Sequence, residues 1–325
     1  MTEGSLPLIS DIRTFALDDG PGIRTTVFMK GCPLACLWCH NPETTTPGPE
    51  ISFNSSRCIV CGDCLRACPH NAIGLDDDCR IRRDRCTACG ACADACPTLA
   101  LKQIGRALPP AELVDRLLPD KTFYDASGGG VRFSGGEPTL YMDYLAAVIK
   151  ILKKQNISVA IQTSGFFDLA EFETKLLENL DWIYFDLKLF DAAKHRRYTG
   201  VDNAGILSNF RKLAKRYPER LIARVPLIPG ITTTRNNLES IAGFVRKAGC
   251  DRRELLSYFV GGVEKRRLLG KTVPKRLAGL HLHQKADARC RLEFDNYFSR
   301  RSTQPKIKCA TPAVDRRRDS IHSNI

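Results

Sequence analysis

The chain has 325 residues, 43% of them apolar, and a formal net charge of +13. That length and apolar content support one large domain or two smaller ones with a buried core, so a soluble globular protein is expected. Fifteen cysteines would mark a disulfide scaffold in a short secreted chain, but here eleven fall into three metal-spaced groups of a long chain, which excludes that reading.

No apolar run approaches the ~18 residues needed to cross a bilayer, and Met1 to Pro7 lacks the basic-then-apolar pattern of a leader. A reducing cytoplasm is the expected compartment, with no membrane association, and exposed clusters point to an anaerobic setting. The positive charge alone would suit nucleic acid. However, from Lys275 onward twelve Lys and Arg stand against five Asp and Glu, so +7 of the excess lies in a terminal segment and nucleic acid is disfavoured. That run reads as solvated, with an acidic protein surface as its functional alternative.

Thr25 to Lys30 is β-branched and aromatic and predicts a strand running into Cys32-Pro-Leu-Ala-Cys36-Leu-Trp-Cys39. Three cysteines on one short loop can hold three irons of a four-iron cluster and leave the fourth open. A metal with an open position is where chemistry occurs, so the spacing favours an enzyme over an electron carrier. Next come Cys58-x2-Cys61-x2-Cys64-x3-Cys68-Pro69 and, 28 residues on, Cys86-x2-Cys89-x2-Cys92-x3-Cys96-Pro97, both matching the bacterial ferredoxin run. In such a pair the fourth cysteine crosses over. Cys58, Cys61, Cys64 and Cys96 are expected to hold one cluster, and Cys86, Cys89, Cys92 and Cys68 the other. Cys79, Cys250, Cys290 and Cys309 match no motif and read as unligated thiols.

Strands and helices then alternate. Strands are predicted over 131–134, 158–163, 182–187, 220–227 and 254–258, with helices over 139–155, 169–179, 203–217 and 234–248. This implies parallel strands with helical crossovers, as a barrel or an open sheet, with ligands at the C-terminal ends of the strands. After Lys275 periodicity is weak, except over 286–298, and much of the segment is expected to be loosely packed.

The run Gly20-Pro-Gly22-Ile-Arg24, followed by Gly31-Cys32-x3-Cys36-x2-Cys39-His40-Asn41, resembles the signature of glycyl-radical-enzyme activating enzymes, a branch of the radical S-adenosylmethionine (SAM) superfamily. The ferredoxin-type repeat resembles the subgroup with two auxiliary clusters. The resemblance runs from about Ile9 to Lys271. It implies an α/β fold, a partial (β/α)6 radical-SAM barrel with an inserted two-[4Fe-4S] ferredoxin-like α+β domain. The expected division is barrel at 1–53 and 105–274, insertion at 54–104 and a basic tail at 275–325. It implies three [4Fe-4S] clusters, SAM as cofactor, a glycyl radical enzyme as protein substrate, and a flavodoxin or ferredoxin-type electron donor.

By the same resemblance Cys32, Cys36 and Cys39 hold the catalytic cluster, and Gly135, Gly136, Glu137, Thr163 and Leu187 belong to the SAM site. Asp186 and Lys188 share one side of a strand by its two-residue period, and Lys188 either pairs with the SAM carboxylate or forms a strand-end salt bridge. Arg224 reaches that carboxylate or binds a neighbouring acid. Trp38 shields the cluster or contacts adenine, and His40 lies with them at the cofactor. Asp19 to Arg24 lies beside the target glycine or is only a tight turn. Gln162 stands where the family often has an acid, and Phe259 where it usually has His or Asn. The competing functions are a radical SAM enzyme acting on another peptide or small molecule, and a ferredoxin-like electron-transfer protein.

Overall fold

The computed structural model describes residues 6–75, 80–277, 279–280 and 283–299. Its strands are β1 (Leu8–Ala16), β2 (Arg24–Met29), β3 (Glu50–Phe53), β4 (Leu101–Ile104), β5 (Arg106–Ala107), β6 (Gly130–Gly135), β7 (Ser158–Thr163), β8 (Trp182–Asp186), β9 (Leu221–Leu227) and β10 (Arg253–Ser257). The helices are α1 (Asp63–Ala67), α2 (Ala91–Asp94), α3 (Pro110–Leu117), α4 (Lys121–Ser127), α5 (Met142–Lys154), α6 (Leu169–Lys175), α7 (Ala192–Thr199), α8 (Ala204–Arg216), α9 (Arg235–Lys247), α10 (Gly261–Leu268) and α11 (Gln284–Ser299). None of the described helices is long and apolar enough to cross a membrane.

Eight strands form one sheet in the order β10-β9-β8-β7-β6-β2-β1-β5. The six from β10 to β2 are parallel, and β1 and β5 extend the sheet antiparallel. This is a mixed sheet with a six-stranded parallel α/β unit, as expected for a partial barrel. The flanking strands β1 and β5 and the helices α3, α4 and α7 lie outside the predicted alternation. Strand β1 lies between β2 and the two-residue edge strand β5, mixes in the exposed Asp11 and Arg13 and buries only Ile9, so it lacks the buried apolar run that marks β2 and β6 to β9.

The two faces of the sheet differ in chemistry because successive side chains on a strand alternate. One face supplies Val131, Phe133, Val159, Ile161, Ile183, Phe185, Leu221 and Val225 to the main core, packed under α5, α8 and α9. The opposite face carries Arg24, Thr26, Arg132, Ser134, Gln162, Tyr184, Asp186 and Arg224. A parallel sheet covered on both faces is ordinarily apolar on both. A face of arginines, hydroxyls and carboxamides therefore lines a working interior.

Helix caps follow the sequence. Asp168 accepts from the Glu171 N–H at 2.8 Å to start α6, and Asp191 accepts from Lys194 N–H at 2.8 Å to start α7. Helix α7 ends on Gly200 at φ +84°.

Residues 284–299 correct the expectation of a loosely packed tail. They form α11, which lies on α9 and buries Cys290, Phe294 and Tyr297 in the main core. Arg253 pairs with Asp295 at 2.8 Å and lies 3.9 Å over the Phe298 ring, fixing α11 to the edge strand. The stripe falls within 286–298, the stretch of the segment where the sequence keeps periodicity. Cys79, Cys309 and the arginines 316–318 lie outside the described residues. Because Phe294 is fully buried, Phe294→Ala is expected to lower the unfolding free energy by about 3–5 kcal/mol. Urea denaturation checks this, and a change below about 1 kcal/mol would contradict the packing.

Candidate cluster and cofactor site

The three-cysteine loop leaves the C-terminal end of β2 and is held by backbone on several sides. Gly31 N–H donates to Thr44 O at 2.7 Å and Cys32 N–H to Thr45 O at 3.1 Å, while Ala35 and Leu37 N–H donate to Thr199 and Tyr198 carbonyls at 2.7 and 2.9 Å. Cys32, Cys36 and Cys39 are each half-buried. Burial pushes the thiols of Cys32 and Cys36 up to about 12. The Glu137 carboxylate adds to the rise at Cys32, whereas Lys188 opposes it at Cys36. Burial raises Cys39 as well. The thiols are close enough to act electrostatically on one another.

Gly135 and Gly136 follow β6 and abut this loop. A Cβ at Gly136 would overlap the Gly31 carbonyl oxygen, and one at Gly135, where φ is +112°, would overlap the Met29 backbone. The space without side chains lets Gly136 N–H donate to Met29 O at 2.9 Å and Glu137 N–H donate to Gly31 O at 2.8 Å. The Glu137 side chain turns into the protein and is fully buried. Its carboxylate accepts from Thr139 Oγ1 and Thr163 Oγ1, both at 2.8 Å, from Ser164 N–H at 2.7 Å and from Ser164 Oγ at 2.6 Å. Glu137 and Thr163, read from sequence as part of a cofactor site, thus bond each other and join the loops after β2, β6 and β7.

Beside the thiols, Lys188 Nζ donates to Asp186 Oδ2 at 2.8 Å. Burial alone would raise the Asp186 carboxyl, but Lys188, Arg224 and the Gln162 amide outweigh it and hold it below its ordinary value. Lys188 is held above its ordinary value, because Asp186 and the nearby Cys36 outweigh the opposing effect of burial. Gln162 Nε2 lies 3.3 Å from Asp186 Oδ1, and its Oε1 accepts from Ser134 Oγ at 2.9 Å and from Arg132. Arg132 continues to Asp19 at 2.7 Å. At this position Gln162 is both donor to an acid and acceptor from a cation, which a carboxylate could not be. Arg224 pairs with Glu254 at 3.1 Å and stacks 5.2 Å over Tyr184. The Leu187 side chain belongs to the main core, and its N–H donates to Arg224 O at 2.8 Å.

Trp38 is buried with Leu189, Ile228, Ile231 and Val263, with Cys36 packed against the cluster. His40 is exposed, edge-on to Phe259 at 5.7 Å between ring centroids.

Sequence reasoning missed a clamp from α10. Gly262 lets the helix lie against the Cys39 carbonyl and His40 Cα, Lys265 Nζ bonds Asn41 Oδ1 at 2.7 Å and Glu43 Oε1 at 2.6 Å, and Arg266 reaches the Leu37 carbonyl at 3.4 Å. A Lys-Arg-Arg run reads as a solvated face, so no signal announced it. Arg24 and Arg132, both fully buried, did leave a signal: each interrupts the apolar composition of its strand.

The two ferredoxin-type runs line two cavities. One is bounded by Cys58, Cys61, Cys64 and Cys96 with Phe53, Arg80 and Leu101, the other by Cys68, Cys86, Cys89 and Cys92 with Ile51 and His70. Among the described residues no group of three or more His, Cys, Asp or Glu is arranged to share one metal ion. The cysteines are thus grouped in fours around two cavities.

A family model for the radical SAM superfamily matches residues 77–241, half of the chain, and a 4Fe-4S binding domain model matches residues 51–73. The chain is 38% identical over 274 residues to the isethionate sulfite-lyase activating enzyme of Desulfovibrio desulfuricans, covering 82% of this chain and 88% of that protein. It is 42% identical over 236 residues to the trans-4-hydroxy-L-proline dehydratase activating enzyme of Clostridioides difficile, covering 72% and 77%. It is also 38% identical over 283 residues to the benzylsuccinate synthase activating enzyme of Thauera aromatica, covering 85% of each.

Metal binding needs thiolates and so releases protons from any thiol still protonated. With Cys32 and Cys36 pushed up to about 12, iron uptake at this loop is expected to strengthen with pH, by up to about tenfold per pH unit for each proton released. Chelator competition for ferrous iron between about pH 7 and 9 measures the slope. Cys32→Ser should lower it by about one unit, and pH-independent uptake would contradict the thiol environment.

Proposed function

The chain belongs to the glycyl-radical-enzyme activating enzymes of the radical SAM superfamily, and from that premise we propose which residues carry the reaction. The family activity is reductive cleavage of SAM, using a [4Fe-4S] cluster, and removal of a hydrogen atom from a glycine of a partner glycyl radical enzyme. Reduced and bound, the cluster and SAM supply one electron and one carbon–sulfur bond, whose cleavage leaves methionine and a 5′-deoxyadenosyl radical.

Cys32, Cys36 and Cys39 hold that cluster through three thiolates and leave one iron for the amino and carboxylate groups of SAM. Gly135 and Gly136 offer the amino group a backbone bare of side chains. Lys188, kept charged by Asp186, and Arg224 supply positive charge to the carboxylate. The Asp19–Arg132–Gln162–Asp186 chain fixes that pair from the polar face of the sheet. Trp38 and His40 line the loop on the outer side. Asp19 to Arg24 faces the target glycine.

In this reading the segment 54–104 is a ferredoxin-like insertion with two further [4Fe-4S] clusters, inserted between barrel portions 1–53 and 105–274. The two four-cysteine cavities support it. Electrons come from a flavodoxin or ferredoxin-type donor in a reducing, anoxic cytoplasm.

The observation that carries the site assignment is the Asp186–Lys188 pair, close enough to the three-cysteine loop for both charges to act on Cys36, at the C-terminal ends of parallel strands. The test is anaerobic: load the protein with iron and sulfide, reduce it with dithionite, add SAM and assay 5′-deoxyadenosine. Wild type should form it and Cys36→Ala should not, while Lys188→Ala should raise the apparent KM for SAM by about tenfold, equal to ~1.4 kcal/mol. Equal product from Cys36→Ala would overturn the assignment.

A further inference from the structure

The internal repeat gives the two four-cysteine cavities the same backbone, so the side chains that differ between them form a natural comparison. Val60 and Ala88, each just before the second cysteine of its run, both take left-handed backbone at φ +59° and +56°. Leu99 and Asn71, three residues after the fourth cysteines, do the same at +56° and +50°. Among the positions that differ around the Cys58 cavity, the large apolar ones are Ile59, Val60, Leu65 and, through the crossover, Leu99. All stand in water, with 64, 59, 44 and 54% of their surface exposed. Their counterparts at the other cavity are Thr87, Ala88, Ala93 and Asn71, which are small or polar.

The shared backbone does not require four large apolar side chains on one copy only. Left-handed backbone is least tolerant of a β-branched residue, and glycine would take it freely, so Val60 is kept against local preference. Strain of this kind and an exposed apolar patch both mark contact surfaces. The Cys58 cavity is also the outer one. Ile51, which lines the inner cavity, is next to Glu50, whose carboxylate bonds Lys30 at the root of the three-cysteine loop at 3.0 Å. Phe53, which lines the Cys58 cavity, is at the far end of that strand.

We propose that Ile59, Val60, Leu65 and Leu99 form the face on which a small, acidic one-electron donor protein docks, so that electrons enter the chain at the Cys58 cavity. This rests on the cavities being cluster sites. The donor's reduced centre loses one electron and the cluster held by Cys58, Cys61, Cys64 and Cys96 gains it, with no bond or proton moved. Charge favours an acidic donor: Arg57, Arg66 and Lys102 are exposed within three residues of the patch in sequence, Arg66 paired with Asp63. An apolar centre with steering charge around it suits the small, short-lived interfaces of electron transfer.

The experiment uses the full, iron-loaded chain and an acidic flavodoxin as probe. Its Kd is measured by calorimetry, and its one-electron oxidation from hydroquinone to semiquinone by stopped-flow absorbance. Val60→Asp/Leu65→Asp should weaken binding at least tenfold, and Val60→Gly, which suits the backbone, by about threefold with iron content unchanged. Thr87→Asp/Asn71→Asp, which adds the same charge at the other cavity, should stay within about twofold. Dithionite-driven SAM cleavage should be the same in all of them. Unchanged flavodoxin binding by both Val60 variants, or equal weakening at the matched positions, overturns the proposal. So does loss of glycyl radical enzyme binding with flavodoxin binding intact, which would make the face the substrate's dock. If dithionite drives no cleavage in wild type, it is the activation reading that fails, whatever flavodoxin does.

Discussion

One buried carboxylate holds the site together. Glu137 receives hydrogen bonds from the loop after β7 and from its own loop after β6, while its N–H donates to Gly31 at the start of the three-cysteine loop. A carboxylate is acceptor-only and costly to bury unless saturated, and here hydroxyls and an N–H surround it. Each donor would in turn be stranded without it, at about 1–3 kcal/mol apiece. Three loops that carry different parts of the chemistry are thereby fixed relative to one another, which no single strand could do.

The polar face of the sheet follows from the same logic. Arg24, Arg132 and Arg224 are buried because they have carboxylates, carbonyls and the Tyr184 ring to meet: Arg24 Nε donates to Pro21 O at 3.0 Å, and Arg132 lies 4.6 Å over Tyr184. Asp19, Asp186 and Glu254 offset most of their charge. Lys188 brings positive charge to the thiols, which suits a carboxylate ligand, and many polar groups of this face are tied to one another, while Arg24 Nη1, Arg132 Nε and the Tyr184 hydroxyl have no hydrogen-bond partner among the described residues. From the outside, α10 presses Lys265 and Arg266 onto the same loop. The loop is thereby held by contacts from several elements.

Much of this was legible in the sequence. The parallel strands were readable because β-branched runs end in glycine or polar punctuation, and the cysteine spacing separated three groups with a crossover that the two cavities reproduce. Resemblance named Glu137, Thr163 and Leu187 without saying what their side chains bond or pack against, which are the protein's own loops and core. The clamp from α10 was invisible because charge runs carry no direction. Helix α11 was legible only as the periodic stretch 286–298, because its three buried residues are diluted by the basic residues around them. Strand β1 escaped because it buries only Ile9 and so shows no apolar run.

The most direct measurement of the central claim is the electron paramagnetic resonance spectrum of the reduced, fully loaded protein with and without SAM. The account predicts that SAM shifts one cluster signal, that Cys36→Ala abolishes the shift, and that Cys61→Ala and Cys89→Ala leave it in place. A spectrum indifferent to SAM, or a shift that survives the loss of Cys36, would contradict it.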